Sequence, residues 1–139
     1  MNAIDTNVVV YAFDPTAPAK QALARKLLHA FVLKPNETVF LWQVAVEFLA
    51  CLRKAEKKGL LTGEQVKVNF REVLQLFPLG LPSAKVFERG FVLRQHFSLS
   101  HWDSLLIAAC QDANVTHLYS EDMQHGADYD GVNIVNPFA

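Results

Sequence analysis

The stretch Ala3–Phe13, AIDTNVVVYAF, decides how the rest of the chain is read. A short apolar lead-in reaches Asp5, Thr6 and Asn7 follow, and apolar residues resume at once with Val8, Val9 and Val10. A carboxylate buried in such surroundings without a partner costs several kcal/mol, so Asp5 must be solvated, paired or bound to a cation. Asn2–Ile4 reads as a short buried strand ending at Asp5. The β-branched run after Asn7 favours a strand. Asn7 is a good N-cap, however, and a short helix from there to near Asp14-Pro15 is the preferred reading.

Working outward, Pro18 opens a clearer helix, with Leu23, Leu27, Leu28 and Phe31 as a stripe at helical spacing. Thr38–Leu41, entered from the turn signal Pro35-Asn36, reads as a second buried strand. A long helix follows from about Trp42 to Lys58 and stops at Gly59. Thr62 and Gln65 form a capping box for the next helix, whose stripe is Val66, Phe70, Val73, Leu74 and Phe77. Ser83 caps another, with Val86, Phe87, Gly90 and Phe91 on one face. Ser100 caps a helix that is apolar nearly all round over Leu105–Cys110, which marks it as central and buried. His117–Ser120 and Val132–Val135 read as two more strands, joined by a polar loop from Glu121 to Gly131. Alternating strands and helices with few hairpin signals predict an α/β domain with a mainly parallel sheet.

With 139 residues, 51% of them hydrophobic, the chain is expected to form one domain with a full core, without repeats or a linker. A net charge of −1 suits neither a nucleic-acid coat nor a membrane-surface binder. A polyanionic partner must then be held by a local basic patch or through metal ions. Cys51 and Cys110 sit among apolar neighbours without metal spacing and read as reduced core residues of a cytosolic protein. The opening MNAID lacks a basic n-region, so no signal peptide is expected, and the expected location is the cytoplasm. No apolar run approaches the roughly 20 residues of a membrane span.

This architecture gives positions to four acids. Asp5 follows the first strand, and Asp122 lies two residues beyond Ser120. Glu47 falls one to two turns into the helix after the second strand, and Asp103 lies in the first turn of the buried helix. In open parallel sheets, strand C-termini and helix N-termini meet at one edge, where ligands bind. Four carboxylates share a small site only if some are protonated or cations are present. Two divalent ions would balance the charge, and oxygen ligands without His or Cys suit Mg²⁺ or Mn²⁺ rather than zinc. Each acid also has a plainer reading. Asp103 closes the capping pattern Ser100-His101-Trp102-Asp103. Glu47 can pair with a basic residue, Asp122 can be a turn residue, and Asp5 can cap the turn that follows it. The joint placement at one edge favours the shared site.

The set resembles PIN-domain ribonucleases, and within them VapC-type toxins of bacterial toxin–antitoxin pairs. The resemblance rests on Asp5-Thr6-Asn7 with VVVYAFD after it, Glu47 in the long helix, Asp103 in HWDSLLIAAC, and Ser120-Glu121-Asp122 before the closing VNIVNPF. It covers essentially the whole chain; where the family often has Thr, this chain has Ser120. It implies a three-layer α/β/α fold around a mainly parallel sheet, and it supports the helix after Asn7. It also implies metal-dependent hydrolysis of RNA. Asp5, Glu47, Asp103 and Asp122 would hold one or two Mg²⁺ (or Mn²⁺) ions, leaving 5′-phosphate and 3′-hydroxyl ends.

Asn7 and Ser120 are candidates for orienting carboxylates and water. Lys54, two turns beyond Glu47, is a candidate for a backbone phosphate, although Arg53, Lys54, Lys57 and Lys58 also fit an ordinary solvated face. His101 and His125 lie near the site in sequence without a role of their own. Trp42 and Trp102 can stack on bases, but core packing is the preferred reading. A homodimer is expected, partly from the surplus of apolar helical faces. The resemblance adds a small antitoxin bringing Arg or Lys to the acidic pocket, anchored in an apolar groove around Val8–Phe13 and Leu23–Phe31.

Two other classes compete. A phosphoaspartyl hydrolase also places an Asp after its first strand, but wants a second Asp where Asn7 stands. A non-catalytic binding module of the same fold would have lost an acid, and none is lost.

Overall fold

The computed structural model describes residues 1–139, and its elements alternate as the hydrophobic pattern requires. In chain order they are β1 (Asn2–Ile4), α1 (Thr6–Tyr11), α2 (Pro18–Val32), β2 (Thr38–Leu41), α3 (Trp42–Lys57) and α4 (Gly63–Leu76). Then come β3 (Leu79–Gly80), α5 (Lys85–His96), α6 (His101–Asp112), β4 (His117–Tyr119), β5 (Asp128–Tyr129) and β6 (Val132–Val135).

The sheet order is β3-β2-β1-β4-β6-β5, parallel throughout except for β5 against β6. From β1 through β2 to β3 the chain steps outward in one direction. Right-handed crossovers therefore put α1–α4 on one face of the sheet. From β3 to β4 the chain runs back past β2 and β1, so α5 and α6 cover the other face. The packing agrees: α1 lies on α2 and α3, α3 on α4, and α5 on α6. The result is the expected three-layer α/β/α domain. Its crossovers change direction between β1 and β4, the place where open α/β sheets leave a crevice at the strand C-termini.

The core explains the helix positions. Phe48 is fully buried and stacks between Phe13 and Phe70, at centroid distances of 5.5 and 6.2 Å. Leu106–Cys110 of α6 are all buried, as their nearly continuous apolar run requires. Gly90 lets α5 approach α6 closely: a Cβ there would meet Leu105 at 3.3 Å.

Several local expectations are corrected. The N-cap of α1 is Asp5, whose carboxylate accepts from the Thr6 N–H, and not Asn7. The helix ends at Tyr11, with tight turns carrying the chain on to Asp14. Ser83 donates to Asp112 through its N–H and hydroxyl (2.9 and 2.8 Å); its hydroxyl also accepts from the Lys85 N–H at 3.3 Å, but the cap position of α5 is Ala84. On α5 the expected Val86 and Gly90 are buried, and Leu93 completes the stripe in place of Phe87 and Phe91. Phe87 and Phe91 are each 63% exposed. Leu23 and Leu74 also face solvent. The loop from Glu121 to Gly131 contains β5, which returns on β6 through a tight Asp130-Gly131 turn with positive φ at both residues. Both cysteines are free, Cys110 buried and Cys51 half-buried. No helix is long and apolar enough to cross a membrane.

Candidate active site

Asp5 sits where β1 ends, and its backbone N–H still donates to Tyr119 of the neighbouring β4 (2.9 Å). Only 8% of the residue is exposed. One carboxylate oxygen accepts from the Thr6 N–H (2.7 Å) and the other from the Ser120 hydroxyl (2.7 Å). Burial raises its pKa, the two hydrogen bonds oppose the shift, and the charges of Asp122 and Glu47 add to it. The Cys110 thiol beneath is likewise pushed up by burial, and further by Asp5.

The neighbours of Asp5 are tied to it by short polar side chains. The Thr6 hydroxyl donates to Glu47 Oε2 at 2.7 Å. Glu47 reaches it because α3 buries Val44, Ala45, Phe48 and Leu52, leaving Glu47 half-buried at the margin of that face, where α1 packs. With the cap taken by Asp5, the Asn7 amide is free to bridge. It donates to Asp122 at 2.9 Å and to Asp5 at 3.4 Å, while its oxygen accepts from the Glu121 N–H at 3.2 Å. The Ser120 hydroxyl also accepts from the Asp122 N–H at 3.3 Å. The Asn7 amide and the Ser120 hydroxyl thus each donate to carboxylates of this group.

Asp103 stands at the same edge, half-buried in the first turn of α6, where its N–H donates to Ser100. Its carboxylate accepts no hydrogen bond. Gln43 lies between α3 and the start of α6, its amide near Glu47 (3.4 Å) and the Trp102 carbonyl (3.5 Å). Asp5, Glu47 and Asp122 are therefore joined through bridging side chains, and no hydrogen bond joins the Asp103 carboxylate to them. No three His, Cys, Asp or Glu side chains stand close enough to grip one metal ion directly. The donor set is nevertheless all oxygen, and no Lys or Arg pairs with any of the four acids. A buried carboxylate beside two others without a cation suits a hard divalent ion. Mg²⁺ keeps several waters and needs only one or two carboxylates directly.

The other candidates lie apart. Lys54 is exposed near the end of α3 and touches no acid of the site, although its charge and that of Glu47 are both felt by Cys51. His101 is exposed and packs edge-on against Trp102 at 4.7 Å. His125 accepts from the Asn136 N–H at 2.9 Å. Trp42 and Trp102 are not core residues: they are 47% and 65% exposed. They line an apolar groove of about 340 Å³ with Leu81, Phe87 and Leu105. Core position is set by which helix covers a face, which neighbouring residues do not reveal. Thr6, Gln43 and the pair Lys20–Glu121 emerge only in three dimensions. Thr6 had a signal in its place beside Asp5; Lys20 had none.

No family model matches the sequence, and no curated protein sequence matches it either. Solved structures do match in shape. A toxin–antitoxin complex from Klebsiella pneumoniae aligns over 99% of this chain and 98% of the other, with TM-score 0.69 and 21% identity. The structure of VapBC2 from Rickettsia felis bound to a promoter DNA fragment aligns over 96% of both chains, with TM-score 0.73 and 17% identity. The chain shares their fold. VapC20 of Mycobacterium tuberculosis, a Sarcin-Ricin loop cleaving toxin, aligns over 88% of this chain and 90% of its own, with TM-score 0.63 and 16% identity. The expected three-layer α/β/α architecture around a mainly parallel sheet is therefore the one shared with these structures.

Proposed function

We propose that this chain is a divalent-metal-dependent endoribonuclease and the toxin of a toxin–antitoxin pair, acting in the cytoplasm. The observation that carries the reading is the linked trio Asp5, Glu47 and Asp122 at the switch point of the sheet, with no cation of its own. The likeness in fold to a Sarcin-Ricin loop cleaving toxin supports it. Asp5, Asp103 and Asp122, with Glu47, are the residues we assign to one or two Mg²⁺ or Mn²⁺ ions. When bound, such an ion acidifies water and polarises the phosphodiester. The chain's own contribution is rigidity: Thr6 and Ser120 fix Asp5, Thr6 also fixes Glu47, and Asn7 fixes Asp122. Lys54 is assigned to a backbone phosphate.

Two partners belong to this reading. An antitoxin segment bringing Arg or Lys would neutralise the acids and close the RNA path. Its apolar anchor is a groove of about 480 Å³ lined by Phe13, Leu28, Val32, Val73 and Leu76, between the end of α1, α2 and α4. Val8 and Val9 are fully buried and take no part in it. A second copy of the chain is assigned to the opposite face. There Phe87 and Trp102 project beside the hollow they line, a knob and a hole on one surface, as a two-fold contact needs. Phe87→Glu should then leave only monomer in sedimentation at tens of micromolar (about the range where weak dimers form), and a monomeric wild type would remove the dimer.

The test is to incubate the purified chain with a labelled single-stranded RNA, with Mg²⁺, with Mn²⁺ and with chelator. Cleavage is expected with either ion and not with chelator. Equal cleavage in all three samples, or in none, would overturn the metal-dependent nuclease. Co-expression with the product of the neighbouring small gene should suppress cleavage and growth arrest; failure to bind or suppress would remove the toxin role alone.

A further inference from the structure

Of the thirteen Lys and Arg residues, Lys20 alone forms an ion pair, and it does so beside the acidic site. Its partner is Glu121, whose backbone N–H is held by Asn7 and whose neighbour is Asp122. The ammonium also approaches the Tyr11 hydroxyl at 3.3 Å. It lies over the Tyr11 and Phe138 rings, at 4.8 and 5.7 Å from their centroids. The two rings brace each other edge to face at 5.1 Å. A flexible side chain is thus held from several sides, one residue away from the linked carboxylates. Its side chain is still 40% exposed, so the cation is open to solvent.

Stability alone does not account for this arrangement. An exposed ion pair adds little to stability, because solvent screens it and two long side chains must be held in one geometry. A polyanion approaching the site meets several carboxylates, and a fixed cation at the rim offsets that repulsion without further ordering cost. We propose that Lys20 binds a backbone phosphate of the RNA strand entering the site, and that Glu121 is the counter-ion the phosphate displaces. This inference rests on the nuclease reading above. It makes the two members of the pair act in opposite directions: Lys20 attracts RNA, and Glu121 competes with it.

The test measures binding of a labelled single-stranded RNA oligonucleotide in Mg²⁺ on the non-cleaving Asp5→Asn background. Adding Lys20→Gln should weaken binding roughly tenfold, as for a lost hydrogen bond between charged groups. It should also flatten the slope of log K against log salt by about 0.7, one phosphate contact on a single strand. Lys20→Arg should retain binding, and Glu121→Gln should tighten it several-fold. If Lys20→Gln and Glu121→Gln leave affinity unchanged or shift it in the same direction, the pair is only a structural latch and the proposal fails. Should the wild type cleave RNA while those affinities stay put, Lys20 alone loses its role. Should the wild type neither bind nor cleave RNA, the nuclease reading falls with it.

Discussion

The two ends of the sheet treat buried oxygen atoms differently. At the C-terminal end, Asp5, Thr6 and Ser120 are buried, and each is bonded to another member of the site or to the chain beside it. Where β2 begins, at the opposite end, the Thr38 hydroxyl is buried without a hydrogen-bond partner in the chain. Burying a polar group is unfavourable at either end unless a hydrogen bond offsets it. At one end the polar groups form a network around a charge. At the other a single hydroxyl is simply left over. The difference teaches that the polar residues after β1 and β4 are held for each other, not stranded by the fold.

Substitutions at the two ends should separate accordingly. Ser120→Ala removes a donor from the buried Asp5 carboxylate. Losing such a neighbour of a metal ligand commonly costs about 10–100-fold in activity, with roughly 1–3 kcal/mol of stability. Rate assays and thermal melts check both; unchanged activity would show that Asp5 does not depend on that bond. Thr6→Val strips the donor from Glu47, which is only half-buried, so the loss should be smaller, roughly tenfold or less. Thr6→Ser should restore the rate, and failure of that rescue would point to packing instead. At the far end, Thr38→Val should leave cleavage unchanged and stabilise the fold by up to about 1 kcal/mol. A destabilised Thr38→Val variant would mean that the hydroxyl has a partner after all.

The pH dependence sharpens the same contrast. Burial raises the Asp5 pKa above its unfolded value, so the metal-free folded state holds that proton more tightly than the unfolded chain does. Stability contributed by the protonated form is present at acid pH and is lost as pH rises through the folded pKa. Asp5→Asn should therefore melt higher than the wild type at neutral pH without metal, and the gap should close as pH falls below the ordinary carboxylate range. Taking the difference between the two proteins cancels Glu121 and Asp112, whose pKa values are lowered by Lys20 and Ser83 and act in the opposite sense. A constant gap across pH would mean that Asp5 is not strained by burial.

Much of this was legible in the sequence because it is local. The strands Asn2–Ile4, Thr38–Leu41 and Val132–Val135, the capping box at Thr62, and the buried helix after Ser100 are each written in a few adjacent residues. What stayed hidden depends on neighbours far along the chain. The two-residue strands β3 and β5 are too short for any periodicity, although Asp130-Gly131 is a strong hairpin signal that the polar loop reading passed over. Val86, Phe87, Gly90 and Phe91 are spaced as a core face, but packing of α5 on α6 keeps Val86 and Gly90, adds Leu93 and leaves Phe87 and Phe91 exposed. The acids were legible as candidates from their placement, yet the Thr6 and Asn7 bridges between Asp5, Glu47 and Asp122 required the folded chain.

Whether Asp5 anchors a metal-dependent RNA-cleaving site, as proposed, is decided by comparing the wild type with Asp5→Asn. Wild type and Asp5→Asn are assayed side by side for cleavage of labelled RNA across a Mg²⁺ titration, with circular dichroism and metal-free melting on the same samples. The account predicts a folded variant that melts no lower than wild type and shows no cleavage above background at any Mg²⁺ concentration. A folded Asp5→Asn protein that cleaves RNA at the wild-type rate would contradict it.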